Sequence, residues 1–95
     1  MVVQVGHLVP YGHTTEHGTV VFEAIRSALA HEQSVDVSFS GIAFVSTSFV
    51  NASFVELLQH MDLQELMRRI RIRDSSSQIN DLIKRRLKTE AAALA

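Results

Sequence analysis

Three segments of strand length alternate with segments of helix length, and this order limits the chain to few folds. The strand-like segments are "VVQVGHLV" (2–9), "VDVSFS" (35–40) and "RIRIR" (69–73). Apolar residues recur at helical spacing in 19–32, in a helix that begins near 46–48, and in 75–95. Parallel strands need crossovers of helix length, so the β-α-β-α-β-α order predicts a small α/β domain with a mostly parallel sheet of at least three strands and helices packed on it. The pattern leaves the orientation of the first strand open.

Local patterns predict which face of the first and third strands is covered and where several of the elements begin or end. In 69–73, Ile70 and Ile72 point to one face and the three arginines to the other, so one face of the sheet is expected to be covered and the other exposed to water. In 2–9 the same alternation places His7 on the apolar face, and Pro10 ends the strand. We expect a loop over 11–18 and a helical turn over 62–67. Ser75-x-x-Gln78 fits a capping box for the last helix.

Length and composition indicate one domain over residues 1–95. Forty-six per cent of the residues are hydrophobic and none is cysteine, which excludes disulfides and thiolate metal sites. The apolar runs fall short of the roughly 20 residues that cross a bilayer, and the N-terminus lacks the pattern of a signal peptide. A cytoplasmic location is therefore expected.

No set of side chains predicts an enzyme. "HTTEH" (13–17) matches the H-x-x-E-H pattern of inverted zinc peptidases, but Gly12 and Gly18 flank it and favour a loop, so we expect no metal site. Asp36 has no histidine or serine partner at an informative spacing. The four glycines fit no phosphate-binding loop, and no cofactor is predicted.

Residues 40–54, "SGIAFVSTSFVNASF", place three hydroxyl residues where the chain passes from strand to helix. Serine and threonine at a helix start usually cap it, so capping is the first expectation for Ser46, Thr47 and Ser48. A helix N-terminus also tolerates a phosphate electrostatically, because its N–H groups are free and carry partial positive charge.

The same stretch resembles the central segment of the STAS domain family, the sulfate transporter and anti-sigma factor antagonist domains. A strand ending in an "LDLSGV"-type segment leads in that family to a "DSSG"-type helix start, and "VSFSGI" (37–42) followed by "STSF" (46–49) is similar. The STAS-like family of unknown function, with a helix start resembling "SSFADE", is closer to "TSFVNA" (47–52). Ser46 and Asn51 stand where these patterns carry acids, and Phe49 where the first carries glycine.

The resemblance implies a non-enzymatic protein-interaction module in bacterial regulation. Its partner would be a histidine-kinase-like ATPase or an anti-sigma-type regulator. By position, the phosphorylated hydroxyl would be Thr47, with Ser46 or Ser48 as alternatives. The implied partner-binding residues are Gly41, Ala43, Ser46, Thr47, Ser48 and Asn51.

Charge is distributed unevenly and supports two alternatives. Up to Met61 one arginine faces five acids, a sum of −4, whereas from Asp62 onward eight cations face five acids, a sum of +3. A small nucleic-acid-associated protein with a basic C-terminal face is the runner-up, and the same cations would also suit an acidic protein partner. The residues concerned are Arg69, Arg71, Arg73, Lys84, Arg85, Arg86 and Lys88. A homodimer through an edge strand or the last helix is a further alternative.

Overall fold

The structure is a computed structural model that describes residues 1–94. It confirms an α/β domain with helices packed on a three-stranded parallel sheet. In chain order the elements are β1 (Val2–Gln4), α1 (Val5–Leu8), α2 (Thr15–Leu29), β2 (Val35–Ser38), α3 (Thr47–Ser53), a 3-10 helix (Val55–Gln59), α4 (Leu63–Arg69), β3 (Ile70–Arg73) and α5 (Ser77–Leu94).

The strands stand in the order β1-β2-β3, and each pairs in parallel with the next. Val3 is opposite Val37, and Val37 is opposite Ile72. The first strand, whose orientation the sequence left open, is therefore parallel. Beyond the sheet, Gly12 and Val45 form an isolated parallel bridge, which joins the loop before α2 to the segment before α3.

Within residues 1–94, the helices cover one face of the sheet, as the alternation in β3 predicted. Val35 and Val37 are fully buried on that face, and Ile70 is nearly so. The opposite face carries two rows of paired residues, Val2–Asp36–Arg71 and Gln4–Ser38–Arg73. Val2 and both arginines are exposed there, Gln4 and Asp36 are half-buried, and Ser38 is buried. We call this side, defined by those six residues, the open face.

The first strand is shorter than predicted, and His7 is exposed rather than on an apolar face. After Gln4 the chain forms the single turn of α1, with the Val9 N–H donating to the Val5 carbonyl at 3.0 Å. Val5 and Val9 are both buried. Residues four apart share a side in a strand and also in a helical turn, so the sequence pattern did not separate the two structures.

The helix starts also differ in part from the prediction. α2 begins at Thr15 instead of residue 19, because the Thr14 hydroxyl accepts the His17 N–H and caps it. For α5, Ser76 and not Ser75 accepts the Ile79 N–H, at 3.3 Å. The predicted capping box is therefore wrong, and the Gln78 side chain bonds to Val45 instead.

The predicted second helix divides into α3 and the 3-10 helix near Phe54, whose side chain is fully buried. Just before this change, the Ser53 hydroxyl donates to the Phe49 carbonyl at 2.7 Å, a back-bond that favours bending. α2 and α3 pack closely at Gly18, where a Cβ atom would lie 2.6 Å from the Phe49 carbonyl oxygen. Within residues 1–94, no helix combines the length and the apolar character that a membrane crossing requires.

Candidate functional site

The connection from β2 to α3 alternates between exposed and buried residues. Gly41 has φ of +86°, a left-handed turn that glycine adopts readily. Ile42 and Val45 then point into the core, while Ala43 and Phe44 are exposed. Phe44 keeps 52% of its surface accessible, unusual for so large an apolar side chain.

Two distant segments hold this connection in place. The Gln78 side chain accepts the Val45 N–H at 3.1 Å and donates to the Val45 carbonyl at 3.0 Å. The Ser46 N–H donates to the Gly12 carbonyl at 2.8 Å. The start of α3 is thus anchored to both α5 and the loop before α2.

The three hydroxyls at the start of α3 have different environments. The Ser46 hydroxyl accepts the Phe49 N–H at 3.1 Å and donates to the His13 carbonyl at 2.9 Å. Capping by Ser46 is confirmed. Thr47 and Ser48 are exposed, and neither hydroxyl makes a hydrogen bond within residues 1–94. These two hydroxyls are therefore available to an external group.

The other predicted site residues lie in two depressions. Gly41 and Ala43 line one of them, together with Phe44 and the exposed Tyr11. Ser48 and Asn51 line a groove between α2 and α3, and the Asn51 Oδ1 accepts from Arg86 Nε at 3.0 Å. We call the six residues Gly41, Ala43, Ser46, Thr47, Ser48 and Asn51 the α3-start surface.

An aromatic and imidazole cluster adjoins this surface, and the sequence did not predict it. The His13 ring stacks on Phe44 with 4.6 Å between centroids, and Tyr11 lies 4.8 Å from His13 and 5.0 Å from His17. Tyr11 and Phe44 are distant in the chain, and both rings pack on His13 beside the Gly12–Val45 bridge. Their occurrence in glycine-containing loops was the available signal, since loop aromatics are often exposed for contact.

The H-x-x-E-H segment is not wholly the predicted loop. His13 precedes α2, whereas His17 lies within its first turn. Among residues 1–94, no group of three or more histidine or acidic side chains is placed to hold a metal ion.

Two of the predicted basic residues, Arg69 and Arg86, make hydrogen bonds within the domain. Arg69 donates to the Leu29, Glu32 and Gln33 carbonyls at 3.0 Å each, and so completes the end of α2. Arg86 pairs with Glu90 at 2.7 Å in addition to its bond with Asn51.

The remaining cations lie in two places. Lys84, Arg85 and Lys88 are exposed on α5 and form no ion pair within residues 1–94. Arg71 and Arg73 share Asp36 on the open face, at 3.3 and 3.0 Å. The hydrogen bond from Arg73, with the positive charge of both arginines, lowers the pKa of Asp36 below its usual value.

Comparison with protein families matches residues 17–80 to the STAS-like domain of unknown function (DUF4325). The matched range covers more than half of the chain and includes β2, α3, α4, β3 and all but the first two residues of α2. No curated protein and no solved structure matches the chain.

Proposed function

Because the chain belongs to the family of STAS-like domains of unknown function, we propose that it is a non-enzymatic protein-interaction module in bacterial regulation. Its partner binds the α3-start surface. One observation carries the proposal: Thr47 and Ser48 present exposed hydroxyls on a helix turn that Ser46 already caps. Neither hydroxyl makes a hydrogen bond within residues 1–94, so both can contact a partner.

The partner is a histidine-kinase-like ATPase or an anti-sigma-type regulator, as in the related STAS antagonists. Phe44 and Tyr11 beside the surface supply the exposed aromatic groups that often anchor protein complexes. The stacking of Phe44 on His13 holds one of these anchors in place before a partner arrives.

Phosphorylation of Thr47 regulates this complex. The phosphate adds a charge of about −1.5 to −2 to the contact surface, at a helix start that tolerates negative charge. The related domains carry an acidic residue before the modified hydroxyl, and this chain has Ser46. Serine and aspartate are both good N-caps, so this replacement retains the start of the helix.

The test is affinity purification from source cells with the tagged wild-type protein, Thr47→Asp and Thr47→Ala as baits. We expect a kinase-like ATPase or anti-sigma-type regulator with wild type and Thr47→Ala, and loss of it with Thr47→Asp. Mass spectrometry of the wild-type bait would detect phosphate on Thr47. Repeating the wash at high salt removes nucleic acid, whose contacts are sensitive to salt.

Ser77→Asp is the matched control, because Ser77 is the first residue of α5 as Thr47 is of α3. The same charge at the equivalent position of the other helix should leave the complex intact. Phe44→Ala should weaken it without changing the charge. If the partner is retained by both Thr47→Asp and Phe44→Ala, the proposed surface is wrong.

A further inference from the structure

β3 is an edge strand, and its outer side is not paired. It bonds to β2, and within residues 1–94 no strand follows it in the sheet. An unpaired edge presents N–H and C=O groups that an extended chain can continue. This edge is distinct from the α3-start surface, and its role does not depend on the proposed function.

An apolar pocket of about 240 Å³ lies beside this edge, on the covered side of the sheet. It is formed by α4, β3 and α5, with Phe54 as a further wall. Its lining includes Met67 of α4, which is 50% exposed, the half-buried Ile72 of β3, and Lys84 of α5. A strand added to β3 would direct alternate side chains toward this pocket.

On the open face, the outer strand β3 presents two arginines, while the carboxylates of Asp36 and Asp74 lie at the central strand, the latter accepting the Ser38 hydroxyl at 2.7 Å. Arg71 and Arg73 keep 72% and 58% of their side-chain surface exposed, and both share the single carboxylate of Asp36. The remaining side chains of an added strand would lie beside these two guanidinium groups. Opposite charges on neighbouring strands stabilise pairing, and like charges oppose it.

We infer that the β3 edge is a docking site for an extended segment of a partner protein in which acidic and apolar residues alternate. The acidic side chains contact Arg71 and Arg73, and the apolar ones enter the pocket at Met67. Because β3 of a second copy would bring arginines against arginines, a partner of opposite charge is favoured over self-association through this edge.

The direct test is titration of isotope-labelled protein with an acetylated and amidated peptide of alternating isoleucine and glutamate, IEIEIEIE, followed by NMR. β-branched isoleucine favours the extended form. We expect shift changes and slower hydrogen exchange in the amides of Ile70–Arg73. Two control peptides, IKIKIKIK and the unalternated IIIIEEEE, should bind at least about tenfold more weakly, given the charge pairing described above.

Two sets of variants separate the contributions of charge and pocket. Arg71→Gln with Arg73→Gln should weaken binding of IEIEIEIE by about tenfold, whereas Arg26→Gln with Arg85→Gln, which removes two charges elsewhere, should not. Met67→Ser, a neutral polar substitution at an exposed position, tests the pocket without changing the charge, and it should also weaken binding of IEIEIEIE several-fold. The amide spectrum of each variant confirms that it remains folded.

Other outcomes would overturn the inference. These are no binding at millimolar peptide, equal binding of the three peptides, shifts confined to the α3-start surface, or binding unaffected by all of these β3 and pocket substitutions. Sedimentation that reveals a dimer together with protected β3 amides would replace the acidic partner by a second copy.

Discussion

Two hydroxyl-rich triplets stand at helix starts, Ser46-Thr47-Ser48 at α3 and Ser75-Ser76-Ser77 at α5. In each, one serine caps the helix: Ser46 accepts the Phe49 N–H and Ser76 accepts the Ile79 N–H. Around the second triplet, Ser75 also bonds to Asn80. At the first, the hydroxyls of Thr47 and Ser48 make no hydrogen bond within residues 1–94. Similar sequences thus leave different hydroxyls available.

The two helix starts are also connected. Gln78, in the first turn of α5, binds both backbone polar groups of Val45, the residue before the α3 cap. The second helix start therefore supports the first, while nothing comparable is seen in the other direction within residues 1–94. We therefore expect substitutions at the connection between the two helix starts to lower the free energy of unfolding most, and substitutions of the unbonded hydroxyls to lower it least.

Gln78→Ala should have the largest effect on stability. Val45 is only 2% exposed, so the substitution leaves buried backbone groups without partners. We expect the free energy of unfolding to fall by about 1–3 kcal/mol. Urea unfolding followed by far-ultraviolet circular dichroism measures it. Ser77→Ala, in the same turn, is the control, and an equal effect of the two would show that Gln78 does not support α3.

Ser46→Ala should rank second, with a loss of about 1–2 kcal/mol for an N-cap and its additional bond to the His13 carbonyl. Ser46→Asp should recover the capping part of the loss, because a carboxylate also accepts the Phe49 N–H, but not the part from the bond to the His13 carbonyl, because a carboxylate has no proton to donate. The same urea titration applies. If Ser46→Asp is no more stable than Ser46→Ala, the capping bond is not the source of the stability.

Ser76→Ala should cost about 0.5–1 kcal/mol, at the low end for a cap because its hydrogen bond is long at 3.3 Å. Ser75→Ala should cost less, since Ser75 bonds only to Asn80 at 2.6 Å. Thermal unfolding of both variants compares them. The capping box predicted from sequence requires the reverse order, so this pair decides between the two cap assignments.

The sequence predicted those features that depend on local periodicity. Alternation in β3 identified the covered face correctly, and the spacing of strands and helices led to the parallel sheet. It failed where one pattern fits two structures, as with Val5 and Val9 in α1. It also failed at contacts between residues distant in the chain, such as Gln78 with Val45 and Tyr11 near Phe44. These depend on tertiary packing, which no local spacing records.

The sequence located the start of α3, since the hydroxyl triplet marked it correctly. That Gly41 and Asn51 belong to a partner-binding surface stays a prediction from the STAS-like resemblance. What the triplet alone did not indicate was which hydroxyl the fold uses. That depends on the position of the His13 carbonyl, contributed by another loop. Arg69 was predicted to lie in the third strand with its side chain exposed to water. It lies in α4 instead, and its guanidinium donates to carbonyls at and just after the end of α2.

Thr47→Ala and Ser48→Ala should have the smallest effect, within about 0.5 kcal/mol of wild type, as for exposed groups without hydrogen bonds. Urea unfolding of the two variants beside Ser46→Ala measures the contrast within one helix turn. A loss above about 1 kcal/mol for Thr47→Ala would mean that its hydroxyl serves the fold, by the usual size of a capping bond. Thr47 would then resemble Ser76, and the contrast between the two triplets would disappear. A neutral result leaves the hydroxyl free for modification, which the partner purification tests directly.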